Sequence, residues 1–149
     1  MTQEEILPLF TYGSLMQNLF NYEKHLRGKT VGSAKKARIK GQLFHLTEKG
    51  YPALLKGSDW VYGELFELKD FTSNIEELDV LEGFSQDKQK NEYNREKHVI
   101  EIFNEATQAY DQTTSAYVYF YAVENDTDFL FHRLYLAEGN WRAYYETVK

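Results

Sequence analysis

Pro8-Leu9-Phe10-Thr11-Tyr12-Gly13-Ser14-Leu15-Met16 begins as an apolar, aromatic run of strand length and breaks at Gly13 into small polar groups and an apolar anchor. A strand that stops on Gly-Ser leaves backbone N–H groups without ladder partners at its end. Such groups either close a turn or hold an anion or oxyanion. Whether Tyr12, Gly13, Ser14 and Leu15 form a plain break or a cradle therefore depends on what the rest of the chain brings to them.

Around this run the chain is rich in strands. Gly41 to Leu46 and Trp60 to Leu68 read as strands, the second with Trp60, Tyr62, Phe66 and Leu68 on one face. Gly63, in the middle of that strand, marks a bulge or a close backbone approach. Lys29 to Ile39 is basic and reads as a solvated edge strand, and Pro52 places Tyr51 to Leu55 at an edge or in a loop. Tyr93 to Phe103 and Ser115 to Ala122 follow, the latter buried on both sides, with Gln108 to Thr114 as their connection. Helical spacing is confined to Gln17–Leu26, to Phe71–Gly83 and to short segments of the aromatic tail from Phe129 to Lys149. Thr72, Ser73 or Asn74 can cap the helix that ends at Gly83, and a polar loop runs from Ser85 to Glu92. Strands outnumber helices without regular alternation, which argues for an α+β barrel or curled mixed sheet over a doubly wound fold.

The composition narrows the function. A length of 149 residues suits one domain burying about two-thirds of its unfolded surface. The net charge of −6 lacks the basic footprint of a general nucleic-acid binder. With no cysteine there is no thiolate nucleophile and no Cys-built zinc site, and His25, His45, His98 and His132 show no metal-ligand spacing. No apolar run reaches membrane-span length, and Met1-Thr2-Gln3-Glu4-Glu5 is acidic where a signal peptide would be basic. These features predict a soluble cytoplasmic protein without metal or cofactor. No phosphate-binding glycine loop of dinucleotide or triphosphate type is present. The aromatic tail has two uses open to it, covering the core or forming a homodimer contact.

The most informative residue is Glu82. At about 100° per residue, Ile75 and Leu78 set the core-facing stripe of the Phe71–Gly83 helix. Glu82 follows them by seven and four positions and falls on the same stripe, in the last turn. Desolvation and the negative end of the helix both disfavour its ionised form. That direction is toward the pH at which a general base or acid works best. The alternative is a frayed helix end, with Glu82 turned to solvent or paired with Lys88, Lys90 or Arg95. Ser14 lacks the second glycine of a Gly-x-Ser-x-Gly elbow and any evident acid–His pair, so it reads as a turn former or hydrogen-bond donor. Tyr93 and Arg95 would share a strand face, and Arg95 serves either in an ion pair or as a planar fork for a substrate carboxylate.

The ordered set Phe10-Thr11-Tyr12-Gly13-Ser14-Leu15, Tyr51-Pro52-Ala53-Leu54, Val61-Tyr62-Gly63-Glu64-Leu65-Phe66, Leu78-Asp79-Val80-Leu81-Glu82-Gly83-Phe84, Tyr93-Asn94-Arg95 and Gly139-Asn140-Trp141 resembles the γ-glutamylcyclotransferase-like family, which includes γ-glutamylamine cyclotransferases and AIG2-like proteins. The resemblance spans about positions 9 to 142. It implies a small mixed β-barrel with flanking short helices and a small-molecule γ-glutamyl substrate. It also implies Glu82 as acid/base and the Tyr12–Leu15 turn as holder of the γ-glutamyl group. The implied reaction is an intramolecular cyclisation to 5-oxoproline with release of an amine, without metal or covalent intermediate. A non-catalytic binding module on the same fold is the alternative, and an uncompensated carboxyl argues against it.

Overall fold

The computed structural model describes residues 4–148; Met1-Thr2-Gln3, which open the acidic N-terminal run, and Lys149, which ends the tail, lie outside them. Six strands and three helices follow in the order β1 (Leu9–Thr11), α1 (Phe20–His25), β2 (Thr30–Leu46), β3 (Tyr51–Leu68), α2 (Phe71–Leu81), β4 (Tyr93–Asn104), β5 (Ala109–Tyr121), β6 (Arg133–Tyr135) and α3 (Trp141–Val148). The sheet order is β3-β1-β5-β4-β2-β6, and β2 also pairs with β3, so five strands close into a ring with β6 added to β2. β1 is antiparallel to β3 but parallel to β5, which makes the sheet mixed.

The long β2–β3 hairpin explains why its sequence reads as four shorter pieces. Gly41 pairs with Asp59 and the next residue, Gln42, with Leu55, so Lys56-Gly57-Ser58 bulge out of one continuous strand. Both glycines sit where the chains crowd. A Cβ on Gly41 would lie 2.9 Å from the Leu55 carbonyl oxygen, and one on Gly57 would lie 3.1 Å from the Gln42 nitrogen. Of the stretch Lys29 to Ile39, residues 30–36 pair with β3 alone and are largely exposed, as a solvated edge would be, whereas Ala37 and Arg38 pair with β3 on one side and with Ile102 and Glu101 of β4 on the other. Lys36 and Arg38 lie over aromatic rings. The Arg38 guanidinium lies 3.7 Å from the Trp60 ring centre and pairs with Glu101 at 2.8 Å. Gln108 to Thr114 is not a connection. The turn is confined to residues 105–108, because Asn104 already pairs with Ala109.

β5 is buried on both faces, as its apolar run predicts. Ala116, Val118 and Phe120 enter one core with Phe10, Val61 and Trp141, while Tyr117, Tyr119 and Tyr121 enter a second with Phe66 and the α2 residues Ile75 and Leu78. Trp60 and Tyr62 do not follow Phe66 and Leu68 into that second core; they stay half-exposed, with the Arg38 guanidinium over the Trp60 ring. α1 starts only at Phe20, since Gly13 to Leu19 is taken up by the turn that closes the cavity. Arg133, Leu134 and Tyr135 in the tail pair with β2, a strand where only short helices are expected.

β1 docks onto β3 at a separation that excludes side chains. A Cβ on Gly63 would stand 2.0 Å from the Thr11 carbonyl oxygen. The close approach, rather than a bulge, is what this glycine serves. Gly63→Ala is expected to destabilise the protein by about 3 kcal/mol or more, because two backbones rather than a mobile side chain must give way. Urea unfolding checks this; a change below about 1 kcal/mol would show that β1 can shift freely.

Candidate active site

Phe10 to Leu15 form one wall of a cavity of about 130 Å³, and Glu82 projects from the end of α2 into the same space. Tyr51, Pro52, Glu92 and Tyr93 complete most of the remainder. The turn and the carboxyl, some seventy residues apart in sequence, are thus brought together.

The turn is tied through its carbonyls, while its amides are left without acceptors among the described residues. The Met16 N–H donates to the Gly13 carbonyl at 3.0 Å, and the Tyr22 N–H to the Ser14 carbonyl at 2.9 Å. The N–H groups of Gly13, Ser14 and Leu15 donate to no acceptor among the described residues. Pro52 presses on the turn from across the cavity, where a Cβ on Gly13 would meet its ring at 2.6 Å. The Ser14 hydroxyl accepts from Asn21 Nδ2 at 2.6 Å, and no histidine lines the cavity, so Ser14 has no base to activate it. Tyr12 donates its hydroxyl to the Tyr119 carbonyl at 2.5 Å, and Tyr93 donates to the Pro52 carbonyl at 2.5 Å. Burial raises both phenols, with the charge of Glu82 adding to the effect, so both remain neutral donors.

α2 delivers Glu82 through a cleanly finished C-terminus. Gly83, at φ +65°, bonds back to Val80, and Phe84 bonds back to Asp79 at 2.8 Å. This is the Schellman arrangement, and it stops the helix from fraying. Its other end differs from expectation. Asp70, at φ +42°, precedes Phe71 without capping through its side chain, while Ser73 and Asn74 donate backwards to the Asp70 and Lys69 carbonyls. The Glu82 carboxyl has no hydrogen-bond or ion-pair partner among the described residues. It is half-buried, and what it faces is the cavity rather than open solvent. Burial, supplemented by the nearby charge of Glu92, pushes its pKa up to about 8.

Arg95 is not brought into the cavity, although Tyr93 is. Its guanidinium packs over Tyr117 at 4.6 Å, lies 3.0 Å from Asp79 Oδ1 and pairs with Glu4. Of the two uses open to it in the sequence, the ion pair is the one formed. Two features of the cavity escape sequence reading. Asn91 is buried and ties the Ser85–Glu92 loop shut, accepting from the Ser85 N–H at 2.8 Å and donating to the Ser85 carbonyl at 2.9 Å. That closure returns Glu92 to the cavity wall. No signal in a run of polar residues distinguishes these two from their neighbours. Among the described residues, no group of three or more His, Cys, Asp or Glu is placed to hold a metal ion, and no helix is long and apolar enough to cross a membrane.

A family model described as "Gamma-glutamyl cyclotransferase, AIG2-like" matches residues 9–143. No curated protein matches the chain. Among solved structures, an AIG2-like protein from Mus musculus is similar at 20% identity, covering 90% of this chain and 88% of that one, with a TM-score of 0.65. The protein YtfP from Escherichia coli is 23% identical over 91% of this chain and 96% of its own, with a TM-score of 0.55. Allophanate hydrolase from Kluyveromyces lactis is 12% identical, with 97% of this chain spanning 22% of the enzyme and a TM-score of 0.64. At these identities the likeness to the solved structures is one of fold.

The raised carboxyl has a consequence for stability. An acid whose folded pKa is about 8, against an ordinary 4.5, holds its proton longer when folded. Its contribution is therefore intact below about pH 4.5 and is lost as the pH rises toward 8. Glu82→Gln removes that titration while keeping the shape. The variant is expected to match the wild type in melting temperature at pH 4.5 and to exceed it by roughly 10 °C at pH 9. Thermal melts by circular dichroism across this range decide it; a gap that does not widen with pH means that Glu82 titrates as an ordinary surface carboxylate.

Proposed function

The chain belongs to the γ-glutamyl cyclotransferase, AIG2-like family, and we propose that it cyclises the γ-glutamyl group of a γ-glutamyl amide or peptide to 5-oxoproline, releasing the amine, with Glu82 as base and then acid. One observation carries this reading: one small cavity is lined both by a carboxyl and by a turn whose three N–H groups, like that carboxyl, have no partner among the described residues. The ionised Glu82 takes a proton from the substrate α-ammonium. The freed amine attacks the γ-carbonyl carbon, forming the ring C–N bond. The oxyanion that develops needs donors, which the N–H groups of Gly13, Ser14 and Leu15 supply. Glu82 then returns its proton to the departing nitrogen as the amide bond breaks, takes the second proton from the ring nitrogen and passes it to the released amine. In all, two protons leave the α-nitrogen and two reach the departing nitrogen, so none is released.

The other cavity residues support this role through shape. Ring closure requires a folded substrate, and a cavity walled by Tyr12, Pro52, Tyr93 and Tyr119 restricts the conformations available. A carboxyl near pH 8 in affinity is matched to both proton transfers, being neither too weak a base nor too weak an acid.

Glu82→Gln is expected to reduce 5-oxoproline release from γ-glutamyl amides by about a hundredfold or more, read by chromatography. Turnover retained in that variant would sink the assignment. Because only ionised Glu82 can accept the first proton, kcat/KM in the wild type should climb about tenfold per pH unit up to about pH 8 and then level off. A profile flat from pH 6 to 8 would assign the base elsewhere.

A further inference from the structure

Glu92 is the second carboxyl of the cavity, and the backbone fixes it there. Its N–H donates to the carbonyl of Gly83, the residue after Glu82, at 3.0 Å, and its carbonyl accepts from the Ala122 N–H at 2.8 Å. One side-chain oxygen is fully engaged: Oε2 accepts from the Tyr51 hydroxyl and from Lys49 Nζ, the latter at 2.9 Å. The other oxygen, Oε1, has no partner among the described residues. No lysine or arginine lines the cavity. Lys49 approaches Glu92 from outside the lining and shares its hydrogen bonding between Oε2 and the Tyr121 hydroxyl at 3.1 Å.

A cavity lined by a carboxyl with one oxygen unpartnered among the described residues, and by no cation, attracts positive charge. Glu82 cannot provide that attraction near neutral pH, where it holds its proton. The only cation in the proposed reaction that must come beside Glu82 is the α-ammonium of the substrate. We infer that Oε1 of Glu92 receives this α-ammonium and holds it against Glu82, so that the site selects γ-glutamyl groups with a free α-amine over des-amino or N-acylated counterparts. This rests on the reading of the cavity as a γ-glutamyl amide site. Glu92 then has a binding role, and Lys49 tempers it by sharing the charge of the same carboxylate.

The test measures binding of γ-glutamyl methylamide and of glutaric acid monomethylamide, which lacks the amine, by calorimetry at pH 7 in the Glu82→Gln background, where turnover does not deplete the ligand. The amine-bearing ligand is expected to bind at least about tenfold more tightly, the usual worth of a charge-assisted hydrogen bond. Adding Glu92→Gln should erase that preference by weakening the amine-bearing ligand alone. Lys49→Met, which removes the ammonium from Oε2 of Glu92, should strengthen it about threefold. A residue that merely shapes the wall would weaken both ligands and would not respond in opposite directions to the two substitutions. If Glu92→Gln fails to fold, the Lys49→Met arm decides alone, and no gain there overturns the inference. A preference for the amine that survives Glu92→Gln, alongside 5-oxoproline release by the wild type, overturns this inference only. Failure of either ligand to bind, with no release by the wild type, overturns the reading beneath it as well.

Discussion

Thr11 and Gly63 meet at a distance that only glycine permits, and the geometry of the cavity depends on that contact. β1 is three residues long and cannot hold its place through ladder bonds alone. It is wedged between β3 and β5, antiparallel to one and parallel to the other. With Gly63 offering no side chain, the Thr11 carbonyl sinks against the β3 backbone, and the chain that emerges from β1 is aimed over the edge of the ring. The turn from Tyr12 to Leu15 is thereby held by packing from below and by Pro52 from across the cavity, while its own amides stay unspent. Preorganised donors of this kind need no rearrangement when charge develops, and in a small enclosed space they act with little screening.

The parts of the site that sequence makes legible are those set by a local period. Glu82 is readable because a helix places residues at fixed angles, and an acid on the stripe of Ile75 and Leu78 contradicts the pattern around it. Gly63 is readable for a similar reason, since a glycine inside an aromatic strand lacks any local purpose. The strand boundaries are less legible. Gly41 reads as the first residue of its own strand and Gly57 falls outside any, whereas both serve a single crowded bulge between continuous strands, a relation that exists only once the hairpin has formed. The same holds for the start of α2. Ser73 and Asn74 are good capping residues by type, yet the chain turns at Asp70 and uses them to tie the preceding carbonyls.

Arg95 and Glu92 show the limit most clearly, because period and residue type alone rank them the wrong way round. Arg95 follows Tyr93 by two and shares its face, so strand geometry places both beside the same pocket. The face, however, is longer than the pocket. By Arg95 the strand has passed under α2, where Asp79 waits with a carboxylate and Tyr117 and Phe84 with ring faces. Glu92 sits in a polar run with nothing to mark it. Its position depends on Asn91 closing a loop of several residues onto Ser85, a contact made by one buried amide and invisible in any window of sequence.

Two carboxyls of one type, bordering one cavity, are thus given opposite surroundings. Glu82 has no hydrogen-bond or ion-pair partner among the described residues, and burial, with the charge of Glu92 beside it, raises it to about 8. Glu92 is met by an ammonium and a phenol on one oxygen and left open on the other. Had both been partnered, neither could take up a proton near neutral pH; had both been bare, mutual repulsion in so small a space would have kept one of them protonated without deciding which. The asymmetry comes from Lys49 and Tyr51, on the tight turn and first residue of the β3 strand, reaching Glu92 and not Glu82. A hairpin on one side of the ring therefore decides which acid is partnered and which is left bare, and it is the bare one, at the end of α2, that burial raises to about 8.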